Sequence, residues 1–130
     1  MERFEPTIKL QHADSRGEIY SISLPGDQEL MLLHSKAGSL RGGHSHSVDE
    51  VVVVLMGGLR YYKKIAGGEL ITDLHAGETS FTPAGQVHLG GFLEEDTWLI
   101  ERKIGARKEE WKNDVEYKPY RDRVVANAAS

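Results

Sequence analysis

The chain has 130 residues, of which 39% are hydrophobic, a net charge of −4 and no cysteine. This length fits one domain, residues 1–130, built around a single core. The absence of cysteine excludes disulfides and thiolate metal ligands, and the interspersed acids and bases offer no basic face for a nucleic acid. No apolar run is long enough to span a membrane, and the first residues lack the apolar core of a secretory signal, so we expect a cytoplasmic protein.

Short β-prone runs recur about every ten residues, a rhythm typical of a sandwich or a barrel. Residues 18–24 partly alternate apolar and polar side chains, as a half-buried strand does. Residues 25–27 are Pro-Gly-Asp, which favours a turn, and glycine pairs separate later runs. The predicted strands are 7–10, 18–24, 29–35, 49–56, 59–65, 69–74, 79–82, 88–93 and 97–104.

The run 51–55 is Val-Val-Val-Val-Leu, so apolar side chains fall on both faces of its strand. Such a strand is either buried on both faces or lies at a subunit contact. A small barrel has interior for only one face, and we therefore expect a homodimer.

The character of the chain changes after Gly105. Residues 106–114 are rich in charge and suit a short exposed helix, with Trp111 as its anchor. Pro119 is expected to end any continuation of that helix, and residues 126–130 to form a frayed tail. The charged C-terminal stretch is interpreted as a solvated face.

Two segments carry the candidate site. Residues two apart on a strand point to the same side, so His44 and His46 can aim both imidazoles at one point inside a barrel. Glu50 reaches that point if the chain turns or bulges before it, and His88 opens a later strand after a turn around Pro83. Three imidazoles and one carboxylate suit one divalent Fe, Mn, Ni, Co, Cu or Zn ion better than Ca or Mg.

These segments resemble the two signature motifs of the cupin superfamily. The first motif, G-x5-H-x-H-x3-E-x6-G, fits residues 38–57. The second, G-x5-P-x-G-x2-H-x3-N, fits residues 77–92, with Phe92 in place of the final Asn. The matching residues are Gly38, His44, His46, Glu50, Gly57, Gly77, Pro83, Gly85 and His88.

The resemblance implies an all-β fold, a small single-domain cupin. Its core would be a double-stranded β-helix, or jelly-roll barrel, with a short C-terminal helical segment. Residues 106–130 would be peripheral to this barrel. The resemblance also implies that His44, His46, Glu50 and His88 are the metal ligands.

Four protein ligands on an octahedral ion leave positions open to water or substrate, which is a mark of catalytic sites. We therefore expect an enzyme that acts on a small, oxygen-rich, metal-chelating molecule by lyase, isomerase or dioxygenase chemistry. The rival of a different class is a non-catalytic module that binds or senses a small ligand. Titratable groups around the metal would favour the enzyme, and a purely apolar wall would favour the binding module.

A second resemblance concerns residues 14–19, Asp-Ser-Arg-Gly-Glu-Ile, followed by Arg41 and the His44–His46 pair. These residues are similar to cupins that act as 3,4-ketoisomerases on nucleotide-linked sugars. This alternative implies a metal-independent ketoisomerase or epimerase in which His44 and His46 shuttle protons and Arg41 contacts a phosphate. That group does not generally carry Glu50, the residue that completes a metal site here.

Other residues near the motifs are weaker candidates. His44, His46, Tyr61 and Arg41 are the candidate catalytic residues. Tyr61 and its neighbour Tyr62 are nevertheless more typical of residues that pack within a strand. The sequence leaves open which side chains around position 60 point towards the barrel interior.

The remaining histidines and aromatic residues match no motif. The histidines are interpreted as ordinary loop or strand residues, and the aromatic residues as part of the core or of the pocket wall. The sequence leaves open whether His34 contacts the pocket. The histidines are His12, His34 and His75, and the aromatic residues are Phe81, Phe92 and Trp98.

Overall fold

A computed structural model describes residues 5, 7–92, 94–105 and 115–129, with the backbone alone for Phe92 and residues 127–129. Over these residues the chain forms eleven strands and one helix. The elements are β1 (Ile8–Asp14), β2 (Gly17–Leu24), β3 (Gln28–Ser35), β4 (Leu40–Ser45), β5 (Glu50–Met56), β6 (Gly58–Ile65), β7 (Gly68–His75), β8 (Thr79–Thr82), β9 (His88–Phe92), β10 (Thr97–Lys103), β11 (Val115–Glu116) and α1 (Lys118–Ala129).

The strands pair in antiparallel fashion and form two sheets. The larger sheet has the order β1-β2-β3-β10-β5-β8, and the smaller has the order β11-β4-β9-β6-β7. Side chains from both sheets share one buried cluster, so the sheets pack face to face around a common core. The cluster consists of Leu33, Val52, Val54, Leu59, Tyr61, Leu74 and Leu99. This architecture confirms the predicted all-β fold.

All nine predicted strands are present, with shifts at their ends. The largest shift is at β1, which continues to Asp14 although the prediction ended at residue 10. The prediction for the strand observed as β9 ended at position 93, which lies outside the described residues. Two observed strands, β4 and β11, are not among the nine. β4 carries two adjacent glycines, which have low strand propensity, and β11 has only two residues.

Helix α1 covers the outer face of the smaller sheet. Leu89 alternates with His88 along β9 and therefore points away from the interior, where Tyr120 and Val124 of the helix pack on it. The helix begins at Lys118, next to a proline in its first turn. Within the described residues, no helix is long and apolar enough to cross a membrane.

The prediction of a frayed C-terminal tail is wrong. Pro119 lies in the first turn of α1, where a proline is tolerated because its missing N–H would have no helical partner. Residues 126–129 continue the helix instead of forming a frayed tail, since Tyr120 and Val124 anchor it to the sheet. The predicted helix at 106–114, with Trp111, lies outside the described residues.

The outer face of the larger sheet carries an apolar row. The register aligns Leu10, Tyr20, Leu32, Ile100 and Val53 directly opposite one another on five neighbouring strands. These side chains are half-buried or exposed, and Leu10 is 59% exposed. The row is therefore an apolar surface on the outside of the barrel.

The valine run shows why this row is exposed. Val52 and Val54 enter the core, whereas Val51 and Val53 are half-buried and Leu55 is exposed. Burial on both faces within the chain, one of the two predicted alternatives, is therefore wrong. The subunit contact stays a prediction.

The aromatic side chains predicted for the core lie elsewhere. Phe81 follows the edge strand β8 beside buried Thr82, so alternation turns it outward, and it is 55% exposed. Trp98 is half-buried and stacks on His34, with ring centroids 4.5 Å apart. Strand alternation, not apolar character, decides both positions. The side chain of Phe92 lies outside the described part of the chain.

Candidate metal centre

A bulge in β4 positions the first candidate ligand. The register with β9 shifts between Gly42 and His44, so Gly43 is the extra residue. Gly42 has φ +103°, and a Cβ there would lie 3.0 Å from the carbonyl oxygen of His88, so a side chain would be strained and crowded. The extra residue shifts the alternation of the strand, and Arg41 and His44 consequently line the same cavity.

The other candidate ligands come from strand ends. Glu50 is the first residue of β5, and His88 is the first residue of β9. His46 directly follows β4, and its carbonyl oxygen accepts a hydrogen bond from the N–H of Gly85 at 2.9 Å. The predicted turn around Pro83 therefore fastens the two motifs to each other.

The structure brings the four predicted ligands together. The ligating atoms of His44, His46 and His88 all lie within 4.8 Å of one another. Glu50 adds a carboxylate, with Oε2 at 3.0 Å from Nε2 of His46 and Oε1 at 3.5 Å from Nε2 of His88. Three of these residues are buried, whereas His44 is half-buried and faces the cavity. This histidine triad could hold a metal ion.

The proton on His88 lies on the nitrogen that points away from the cluster. Nδ1 is 3.0 Å from the carbonyl oxygen of Gln86, which can only accept, so Nδ1 donates. Burial lowers the pKa of His88 and favours its neutral form, which carries one proton. Nε2 therefore presents a lone pair to the Glu50 carboxylate.

Glu50 is held as a carboxylate. Burial by itself would raise the pKa of Glu50, but the close contact of its carboxylate with His46, and then the electrostatic attraction of His46, outweigh burial and lower it. Neither carboxylate oxygen makes a hydrogen bond of acceptable geometry within the described residues. Two acceptors, Nε2 of His88 and Oε1 of Glu50, thus face each other in a buried site. A cation between them fits this arrangement, and three imidazoles with one carboxylate suit a transition metal.

Neither a protein-family model nor a curated protein matches the sequence, but solved structures match the fold. Oxalate decarboxylase from Bacillus subtilis superposes with a TM-score of 0.70, 17% identity and coverage of 93% of this chain and 34% of its own. Capsular polysaccharide assembling protein CapF from Staphylococcus aureus gives a TM-score of 0.68 at 18% identity, with coverage of 85% of this chain and 32% of its own. KdgF from Halomonas sp. gives a TM-score of 0.65 at 17% identity, with coverage of 78% of this chain and 89% of its own.

All three structures are cupins. The chain has the cupin fold. The fold predicted from the two motifs is thereby confirmed. The likeness concerns the fold alone at these identities, and the chain spans only 34% of oxalate decarboxylase and 32% of CapF.

A cavity of about 330 Å³ opens inside the cupin barrel beside His44 and His88. Two candidate catalytic residues, Arg41 and Tyr61, line it as well. The ring of Tyr61 stacks against that of His88, with centroids 5.7 Å apart and planes 25° apart. Burial, and then the charge of Glu50, raises the pKa of Tyr61 well above 10, so its hydroxyl stays protonated.

Glu101, which was not among the predicted site residues, also lines the cavity. Burial, and then the charge of Glu50, raises the pKa of Glu101 to about 8, so most of it is protonated at neutral pH. Thr97 and Leu99 precede it at two-residue intervals on β10, and both are buried. That alternation was the available signal, since it predicts that Glu101 faces inward too.

Two arginines of the lining were also missed as cavity residues. Arg16 comes from the turn after β1, and Arg121 comes from α1. A Cβ at Gly43 would lie 2.9 Å from Cβ of Arg121, so this glycine allows the helix to approach β4. The C-terminal stretch is therefore more than a solvated face.

Two residues close to the motifs do not line the cavity. Arg60 is exposed and pairs with Asp73 at 2.8 Å. Tyr62 packs against the cluster beneath α1, on the outer side of the smaller sheet. Near position 60, the cavity is lined by Leu59 and Tyr61.

The remaining histidines lie away from the cavity. His34 contacts Glu18 at 2.8 Å and Asp96 at 3.3 Å, and it is not among the cavity-lining residues. His12 and His75 are exposed residues of β1 and β7. Their interpretation as ordinary strand residues is confirmed.

Proposed function

We propose that this cupin binds one divalent transition metal ion, Fe, Mn, Ni, Co, Cu or Zn, through His44, His46, Glu50 and His88. One observation carries the proposal. Nε2 of neutral His88 and Oε1 of ionised Glu50 are both acceptors and face each other at 3.5 Å in a buried site. A bound cation would satisfy both atoms, and two buried acceptors that face each other need such a partner.

The metal site belongs to an enzyme that acts on a small, oxygen-rich molecule that chelates the ion, by lyase, isomerase or dioxygenase chemistry. A bound divalent ion would supply Lewis-acid polarisation of a substrate oxygen. The chain supplies proton-carrying groups on the cavity wall: the hydroxyl of Tyr61 keeps its proton and can donate a hydrogen bond to a substrate oxygen, and Glu101, with a pKa of about 8, can take up or release a proton near neutral pH. This titratable wall supports an enzyme over a binding module with an apolar wall.

The metal-independent ketoisomerase alternative has less support. It assigns proton shuttling to His44 and His46, yet His46 is only 5% exposed and its Nε2 contacts Glu50 at 3.0 Å. The cavity of about 330 Å³ lies near the lower end of the range for small-molecule pockets, ~300–1,000 Å³. That volume suits a small acid better than a nucleotide-linked sugar.

The test is turnover of a substrate panel with and without a chelator. The panel contains small hydroxy and keto acids and thymidine-linked keto-sugars. We expect turnover that the chelator abolishes and one added divalent ion restores, and Glu50→Gln should lower it in proportion to metal occupancy. Chelator-resistant isomerisation of a nucleotide sugar would contradict the proposal. Firmly bound metal without any turnover would favour the binding module.

A cytoplasmic homodimer completes the proposal. The smaller sheet has its outer face covered by α1, whereas the outer face of the larger sheet presents the apolar row from Leu10 to Val53. A second copy of the same row, related by a twofold axis, would cover it without any additional component.

A further inference from the structure

His44 is the least enclosed of the four predicted ligands. Its side chain is 27% exposed, whereas the side chains of the other three ligands are at most 5% exposed. Its strand is also irregular, because the bulge directly before it contains Gly42 and Gly43, both at positive φ. The packing of the barrel therefore fixes the other three ligands more firmly than it fixes the His44 ring.

The C-terminal segment brings a carboxylate to this ring. β11 pairs with β4 so that Glu116 lies directly opposite His44, and both side chains line the cavity. Oε1 of Glu116 lies 4.0 Å from Nδ1 of His44. This distance exceeds that of a hydrogen bond, but rotation of the exposed Glu116 side chain, or one bridging water, closes it.

The fold holds Glu116 in this place. The N–H of the next residue, Tyr117, donates a hydrogen bond to the carbonyl oxygen of Gly43 at 2.7 Å. Arg121 packs over the same glycine, where a Cβ would lie 2.9 Å from Cβ of Arg121. α1 itself is anchored on the outer face of the smaller sheet. The position of Glu116 beside His44 therefore rests on backbone pairing and packing.

His88 shows what such a partner does to a ligating imidazole. Its Nδ1 donates to the carbonyl oxygen of Gln86, and its Nε2 faces the carboxylate of Glu50. In a neutral imidazole, an acceptor at one nitrogen places the proton there and leaves a lone pair on the other nitrogen. A carboxylate is an acceptor, so Glu116 would act on His44 in the same way.

We propose that Glu116 is a positioning residue of the metal site: it accepts a hydrogen bond from Nδ1 of His44 and so leaves the lone pair of Nε2 for the ion. The effect on metal binding rests on the proposed function, whereas the place of the proton on His44 does not. Groups that orient a ligating histidine typically contribute about 10–100-fold in metal affinity. The C-terminal segment is then part of the metal site.

The first test is NMR spectroscopy of metal-free, ¹⁵N-labelled protein at about pH 8, where free imidazoles are neutral. Multiple-bond correlations show which ring nitrogen carries the proton, and comparison with His44→Ala assigns the signals. We expect His44 of the wild-type protein to carry its proton on Nδ1. In Glu116→Ala the proton should shift towards Nε2, the site that free imidazole side chains favour in water. His88 is the internal control and should keep its proton on Nδ1 in both proteins.

The second test is calorimetric titration of the same proteins with Co²⁺. Glu116→Ala should lower the affinity about tenfold or more, and Glu116→Gln, whose amide oxygen still accepts a hydrogen bond, should lower it less. Asp122→Ala is the matched control, because it removes an exposed carboxylate of the same segment that pairs with Lys118 at 2.7 Å. The control should change the affinity by less than about twofold.

A proton on Nε2 of His44 in the wild-type protein would overturn the inference, and this observation does not depend on how any variant folds. A proton on Nδ1 that depends on Glu116, in a protein that binds no metal, would overturn the proposed metal site and leave the orientation of His44 intact. Firm Co²⁺ binding of equal affinity in the wild-type protein and a folded Glu116→Ala variant would do the reverse.

Discussion

Replacement of Glu50 by Gln separates a metal ligand from a structural carboxylate. The side chain is only 1% exposed to solvent, and its oxygens lie 3.0 Å and 3.5 Å from the Nε2 atoms of His46 and His88. Gln has nearly the same shape but no charge. The substitution therefore removes the only anionic member of the predicted ligand set while leaving the packing of the barrel in place.

The size of the effect follows from the role of Glu50. Loss of a group that only supports a metal ligand costs about 10–100-fold in affinity, so loss of a ligand should cost about 100-fold or more, about 2.7 kcal/mol. At a free metal concentration of about 100 times the wild-type Kd, binding stabilises the fold by about 2.7 kcal/mol, and after a 100-fold loss by only about 0.4 kcal/mol. In a chain of this size, each kcal/mol of added stability raises Tm by about 4 °C. Added metal should therefore raise Tm by about 11 °C in the wild-type protein and by under about 2 °C in the variant.

The assay is thermal unfolding of metal-free protein with and without added Co²⁺. Glu101→Gln is the matched control, because Glu101 is an acid of the cavity wall outside the predicted ligand set and is mostly protonated at neutral pH. The control should retain most of the wild-type rise in Tm. A rise in Glu50→Gln equal to that of the wild-type protein would refute the assignment of Glu50 as a ligand.

Three further predictions concern protons, backbone and assembly. Metal affinity should fall about tenfold or more per pH unit below about pH 6, because acid protonates the imidazoles that must be neutral to bind the ion. Calorimetric titrations that find a constant affinity down to mildly acidic pH would argue against histidine ligands. Gly57→Ala should lower stability towards urea by more than its control, Gly67→Ala. Both glycines have positive φ, but of the two only Gly57 would bring a Cβ close to other atoms, Oγ1 of Thr97 at 2.5 Å and a backbone oxygen at 2.6 Å. Equal losses of stability in the two variants would contradict this reasoning. Light scattering at micromolar concentration should find a dimer that Ile100→Lys converts into a monomer, and a wild-type monomer would mean that something other than a second copy covers the apolar row.

Most of the fold can be predicted from the sequence because strands and turns leave local signals. The turn at residues 25–27 is one example, since Gly26 and Asp27 both adopt positive φ there. β4 gives a weaker signal because the glycines that make its bulge also lower its strand propensity. β11 has almost none, because it exists only through pairing of Val115 with Ser45, seventy positions earlier in the chain. Such distant pairing cannot be inferred from two residues.

The candidate ligands were predictable because their spacing along the chain is the signal. His44 and His46 share one side of the chain, and the turn after β8 returns His88 to the same place. The cavity wall was not predictable in the same way. Alternation along β10 predicts that Glu101 faces inward, but only the register of β10 with β5 places it beside the site, and only the docking of α1 brings Arg121 there. Those placements depend on tertiary packing, which leaves no local pattern.

Elemental analysis of protein purified without any metal-affinity step tests the metal site most directly. We expect about one transition metal ion per chain, removable by a chelator and restored by a single added divalent ion. His46→Ala, which deletes one buried imidazole of the triad, should fold and yet contain almost none. A wild-type protein that holds no transition metal even after reconstitution, or a His46→Ala variant with full occupancy, would contradict the four-ligand site.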